Sequence, residues 1–117
     1  MNDNLPIFMQ IIEVIENDII SGLYAVEGLI ASTTNIATSY GVNPATAVKA
    51  VSKLTEAGVL YKKRGIGMCV AAGAREMIIR RRKEILLNNT LPSLVEEAER
   101  LGISPEQIVS ILRKLRT

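Results

Sequence analysis

The stretch ATSYGVNP, residues 37–44, ends one helix and opens another with almost no chain between them. Gly41 can take the left-handed conformation that closes a helix. Asn43 and Pro44 then supply an N-cap and a proline at the first helical position, where a missing amide proton costs nothing. Two short helices joined this tightly cross at a steep angle. They need a small residue where they touch, a residue tolerant of positive φ in the turn, and an apolar residue entering the second helix. Ala37, Gly41 and Val42 meet these needs. The stretch therefore predicts a helix-turn-helix: a first helix capped by Ser32 and running to Ser39 or Tyr40, and a second from 44 to about 57, stopped by Gly58. Such a pair also occurs in many unrelated helical proteins, so its neighbours must decide its use.

Ile7, Phe8, Ile11, Ile12, Ile15, Ile19 and Ile20 recur at helical spacing over residues 5–21, with Pro6 in the first turn and Gly22 as a stop. A loop rich in glycine and small residues leads to Ser32. After Gly58, VLYKK and MCVAA surround Gly65-Ile66-Gly67 and predict a two-stranded hairpin. In the last 45 residues Ile78, Ile85, Leu86, Leu91, Leu94, Val95, Ala98 and Leu101 keep helical spacing up to Gly102. Pro92 cannot donate to Asn88, so a kink or a junction of two helices is expected near Asn89 to Leu91. A last helix starts at a capping box, with Ser104 as N-cap, Pro105 next and Gln107 completing it, and presents Ile108, Ile111, Leu112 and Leu115. The fold class is mainly α with a small β-hairpin, α+β.

A chain of 117 residues holds one domain, or a small domain plus an appendage too short to bury its own core. With 48% hydrophobic and 22% charged residues it reads as soluble, and its apolar runs fall far short of the roughly 18 residues a membrane span needs. MNDNLPIFMQ lacks the cationic and apolar regions of a secretory signal, and a single cysteine, Cys69, forms no internal disulfide. Both features fit the cytoplasm. Cys69 sits among Met68, Val70 and Ala71, as a small buried hydrophobe would. With no histidine, one cysteine and no carboxylate cluster at ligand spacing, neither metal nor catalytic residues nor a cofactor is expected. Gly65-Ile66-Gly67 is not a nucleotide fingerprint, since Val70 stands where a third glycine would be. The expectation is a non-enzyme.

The net charge of +2 identifies no partner, but its distribution is informative. Residues 1–39 hold five acidic groups and no basic one, whereas residues 40–72 hold Lys49, Lys53, Lys62, Lys63 and Arg64 against Glu56 alone. Cations at a hairpin tip can simply protect a sheet edge. Beside a helix-turn-helix they gain another use, contact with phosphates.

PIFMQIIEVIENDIISGLY, followed by YGVNPATAVKAVSKLTEAGVLYKKRGIGMCV, resembles the N-terminal winged helix-turn-helix of the GntR family of bacterial transcriptional regulators, over residues 5–72. The tail from Ala74 is similar to the short two-helix dimerisation segment of the YtrA-like subfamily, in which a large effector-binding domain is absent. The resemblance implies a DNA-binding domain at 1–72 and a helical dimerisation segment at 73–117. It also implies a homodimeric regulator, a repressor, that binds a two-fold symmetric double-stranded operator.

Carried over position by position, it places Asn43, Ala45, Thr46, Val48 and Lys49 at the start of the recognition helix. Asn43 and Thr46 can bond phosphate or a base edge and Lys49 can reach a phosphate, while Ala45 and Val48 offer contact with a thymine methyl. Ser32, Thr33 and Thr34 open the preceding helix, where the family usually has an arginine; Thr34 stands in its place and cannot replace a charged, bidentate contact. Arg64, Gly65, Ile66 and Gly67 match the wing tip, with Lys63 and Arg64 as phosphate or minor-groove contacts. Together with Lys49 these are the implied DNA-contacting residues.

The tail carries too much apolar surface to stay exposed and too little mass for a core. Either it folds back on the winged helix, or a second copy covers it, through Ile78, Ile85, Leu86, Leu94, Leu101, Ile108, Ile111, Leu112 and Leu115. The run Arg80 to Lys83 sweeps about 300° of a helix and cannot form one face. A small site at the dimer interface leaves room for an unidentified small effector. The rival class is an interaction module, a winged helix that docks protein or binds nucleic acid through charge without sequence specificity; Thr34, Ala45 and Val48 favour it.

Overall fold

The structure, a computed structural model, describes residues 4–116. Its elements run α1 (Ile7–Ser21), α2 (Thr33–Tyr40), α3 (Pro44–Glu56), β1 (Leu60–Lys63), β2 (Gly67–Val70), α4 (Ala74–Ile85), a π-helical turn (Leu86–Thr90), α5 (Leu91–Arg100) and α6 (Pro105–Arg116). They form two compact units, the first ending at Ile79 and the second beginning at Arg80.

In the first unit α1 and α2 both pack on α3. Ile11, Ile15 and Ile19 supply the stripe from α1, Ala47, Ala50, Val51 and Leu54 that from α3, and Leu60 and Val70 close the core from the hairpin. The helix ends follow the expected local chemistry. Ser32 Oγ accepts from Asn35 N–H at 3.1 Å, Asn43 Oδ1 accepts from Ala45 N–H at 2.8 Å, and Gly22 and Gly41 terminate α1 and α2 in the left-handed conformation. Val42 N–H donates to Ala37 O at 2.9 Å, so the small residue at the helix contact also anchors the turn.

β1 and β2 pair antiparallel, Leu60 with Val70 through Lys63 with Gly67. The loop before Ser32, expected to be irregular, adds a short third edge. Leu29 bridges Cys69, with Ile30 N–H donating to Met68 O and Val70 N–H donating to Gly28 O. Cys69 is buried between these edges, as its apolar neighbours implied.

One expectation is corrected here. The first compact unit runs on to Ile79, because Ala74 and Ile78 of α4 are fully buried in its core, and Arg75 Nε donates to a last-turn carbonyl of α1, Ile20 O, at 2.9 Å. For the same reason Ile78, expected at a dimer interface, is core and cannot face a partner.

The junction expected near Asn89 to Leu91 is present: α4 ends at Ile85, α5 starts at Leu91, and Pro92 lies in the first turn of α5. The π-helical turn precedes it, with Leu91 N–H bonded to Leu86 O, and the residues flanking that turn keep right-handed helical dihedrals. A wider turn moves the ring of Pro92 away from the carbonyl it would strike and relieves the missing donor.

In the second unit Gly102, in the left-handed conformation, closes α5, and Ile103 N–H returns to Ala98 O at 2.8 Å. The capping box then starts α6: Ser104 N–H donates to Gln107 Oε1 at 2.8 Å and Gln107 N–H to Ser104 Oγ at 3.2 Å.

Candidate nucleic-acid interface

At about 100° per residue, the buried residues of α3 (Ala47, Ala50, Val51, Leu54) define its inner side, and Ala45, Lys49 and Ser52 lie along the opposite line, with Val48 beside it. Ala45, Val48 and Lys49 are exposed and Thr46 is half-buried. Two of the expected polar readers are partly committed. Asn43 gives its side-chain oxygen to the cap, leaving the amide nitrogen as its remaining donor group. Lys49 rests its ammonium over the ring of Phe8, 4.2 Å from the centroid, so its cation is held toward the first turn of α1.

At the start of α2, Ser32 and Thr34 are exposed and Thr33 is half-buried. The Ser32 oxygen serves as the cap, and no cation stands in this turn. The first amides of an α-helix have no partner within it, and they carry the positive end of the helix dipole. This turn therefore offers N–H groups and hydroxyls to an anion.

The hairpin tip is Arg64-Gly65-Ile66, closed by Ile66 N–H donating to Lys63 O at 3.0 Å. Gly65 at φ 78° and Gly67 at φ 133° take conformations that side chains resist, and a Cβ on Gly67 would lie 3.1 Å from Leu29 Cδ1. Lys62, Lys63 and Arg64 are exposed, and among the described residues none of the three forms an ion pair. At the base of the hairpin the Tyr61 hydroxyl donates to a carboxylate oxygen of Glu27. That hydrogen bond, with smaller contributions from burial and from Glu27's charge, pushes the Tyr61 phenol up to about 12. Sequence reasoning missed this pair and the Lys49–Phe8 contact, since each joins residues more than thirty positions apart and leaves no periodic signal.

In the second unit Ile85, Leu86, Leu94, Leu101, Ile111, Leu112 and Leu115 are exposed and Ile108 is half-buried. α5 and α6 together line an open, almost wholly apolar groove of about 680 Å³. The polar side of α5 carries Arg100, which pairs with Glu97 at 2.8 Å and Glu96 at 3.9 Å.

A solved transcriptional regulator of the GntR family from Bacteroides thetaiotaomicron is 36% identical to this chain and superposes with a TM-score of 0.73, covering 92% of this chain and 95% of that one. The chain belongs to the GntR family of transcriptional regulators. A GntR family regulator from Listeria monocytogenes, 27% identical, aligns over 97% of this chain and 98% of its own with a TM-score of 0.76. Among curated proteins it is similar to the HTH-type transcriptional regulator YurK of Bacillus subtilis (strain 168), at 26% identity over 94% of this chain. The GntR chain spans about half the length of that relative, 52%. No family model matches the sequence. Among the described residues no helix is long and apolar enough to cross a membrane.

Proposed function

We propose that this chain is a YtrA-like GntR regulator that binds a two-fold symmetric DNA operator as a homodimer and represses by occupying it. The observation that carries the reading is a helix-turn-helix whose second helix presents an exposed face, in the same unit as a hairpin tip bearing Lys62, Lys63 and Arg64 without carboxylate partners among the described residues. Free cations on a sharp, glycine-permitted bend suit phosphates and groove edges. One such unit makes few phosphate contacts. Two copies double that number and set the spacing of half-sites, and tethering raises apparent affinity without new contacts.

The apolar groove between α5 and α6 supports the homodimer. Leu94 is 47% and Leu112 53% exposed within it, in a chain that resembles regulators dimerising through this segment. Leu112→Asp or Leu94→Asp would place an unpaired carboxylate in the interface twice over, once from each copy. Light scattering should then report a monomer with the first unit still folded and specific operator binding largely abolished. A dimeric variant, or a monomeric wild type that binds its operator at full strength, contradicts the reading. DNA affinity that ignores sequence would instead favour the interaction module.

A further inference from the structure

We propose, resting on the DNA-binding reading above, that Val48 with Ala45 selects thymine in each half-site through the 5-methyl group of that base. The outward line of α3 nearest its start bears Ala45, and the side chain beside it is Val48, a branched apolar group 48% exposed. Neither has a hydrogen-bond donor or acceptor. The polar groups nearby are drawn elsewhere: Asn43 Oδ1 to the cap, Lys49 to the ring of Phe8, and Thr46 to a half-buried position.

The occupant of this face follows from the charge of the segment 40–72, where Glu56 is the one acidic residue and pairs with Lys53 at 3.9 Å, while the hairpin cations Lys62, Lys63 and Arg64 form no ion pair among the described residues and suit a polyanion. Double-stranded DNA presents one apolar group in its major groove, the thymine methyl. Covering Val48 with any other base edge would desolvate polar base atoms against an isopropyl group that cannot bond them. Covering it with thymine buries methyl against methyl. The helix therefore discriminates at this position by apolar contact, and its half-site carries a thymine under Val48.

The test uses the full chain. Duplexes are selected from a randomised pool, and each thymine of one half-site is then replaced singly by deoxyuridine, which removes the 5-methyl and nothing else. One thymine should show a drop of about 4-fold in affinity when its methyl is removed, as expected for a buried carbon at about 0.8 kcal/mol. V48A should abolish the difference between thymine and uracil at that position, with an unchanged far-ultraviolet spectrum since the residue is outside the core. Equal binding of every uracil-substituted duplex overturns the proposal and leaves the DNA-binding reading standing. A methyl effect that persists in V48A also overturns it. A wild-type chain that enriches no duplex removes the DNA-binding reading itself.

Discussion

The Lys49 ammonium stands 4.2 Å from the centre of the Phe8 ring, tying the exposed side of α3 to the first turn of α1. The contact orients the cation nearest the start of α3, and it links that helix to α1. Replacing Phe8 by leucine keeps the apolar volume and removes the ring face. The expected cost is about 0.5–1 kcal/mol in urea unfolding, the usual range for an exposed cation–π contact. Lys49→Met isolates the interaction in a double-mutant cycle. If F8L costs the same in both backgrounds, the contact contributes nothing.

The Tyr61–Glu27 hydrogen bond makes a pH prediction with a definite sign. The folded-state phenol lies at about 12 against the ordinary 10.0, so the neutral form is the one the fold favours. Its stabilisation is fully present below pH 10 and disappears as the pH rises through the folded value near 12. Phenolate absorbance of the native protein should show a component near 12 that Y61F lacks, while Tyr40, raised by burial and by the charge of Asp18, keeps its upward shift in Y61F. A component near 12 that survives in Y61F assigns the shift elsewhere.

Gly67 lies opposite Lys63 in the hairpin at φ 133°, with Leu29 closing over its face. Gly67→Ala combines a disfavoured backbone angle with an approach of 3.1 Å to Leu29 Cδ1. The substitution should destabilise the first unit by about 1–3 kcal/mol, read as a lowered thermal midpoint, and weaken DNA binding by displacing the tip. An unchanged midpoint would mean the bend tolerates a side chain.

The features legible in the sequence are the local ones. Ser32, Asn43 and the Ser104–Gln107 box act on amides two or three residues away, so residue type and spacing suffice to place them. The helix-turn-helix and the hairpin tip follow from glycines whose positive φ the structure reproduces at Gly41 and Gly65. What sequence does not reveal depends on distance. Leu29 joins the sheet edge through a bridge to Cys69, which no alternation over its few residues announces. Ile78 sits at helical spacing with the tail's apolar residues, yet Arg75 and Ala74 dock that end of α4 on the first unit, so the same periodicity serves the first unit's core and the second unit's exposed apolar face. Pro92 announces a disturbance, but a π-helical turn absorbs it through one bond, Leu91 N–H to Leu86 O, that sequence pattern does not distinguish from a break. Within the candidate interface, residue identities are legible and their commitments are not: whether Lys49 reaches outward or folds over Phe8 depends on packing between helices.

The most direct test of the account measures affinity for a selected symmetric duplex and for its scrambled counterpart across a salt series, with the wild type and with Lys63→Ala/Arg64→Ala. The account predicts that wild type prefers the selected duplex by about a thousandfold or more. It also predicts that the double variant binds both duplexes more weakly, with the log–log salt slope reduced by about 0.9 for each phosphate no longer neutralised. Equal affinity for the two duplexes at every salt concentration, or a slope unchanged by removing both wing cations, would contradict it.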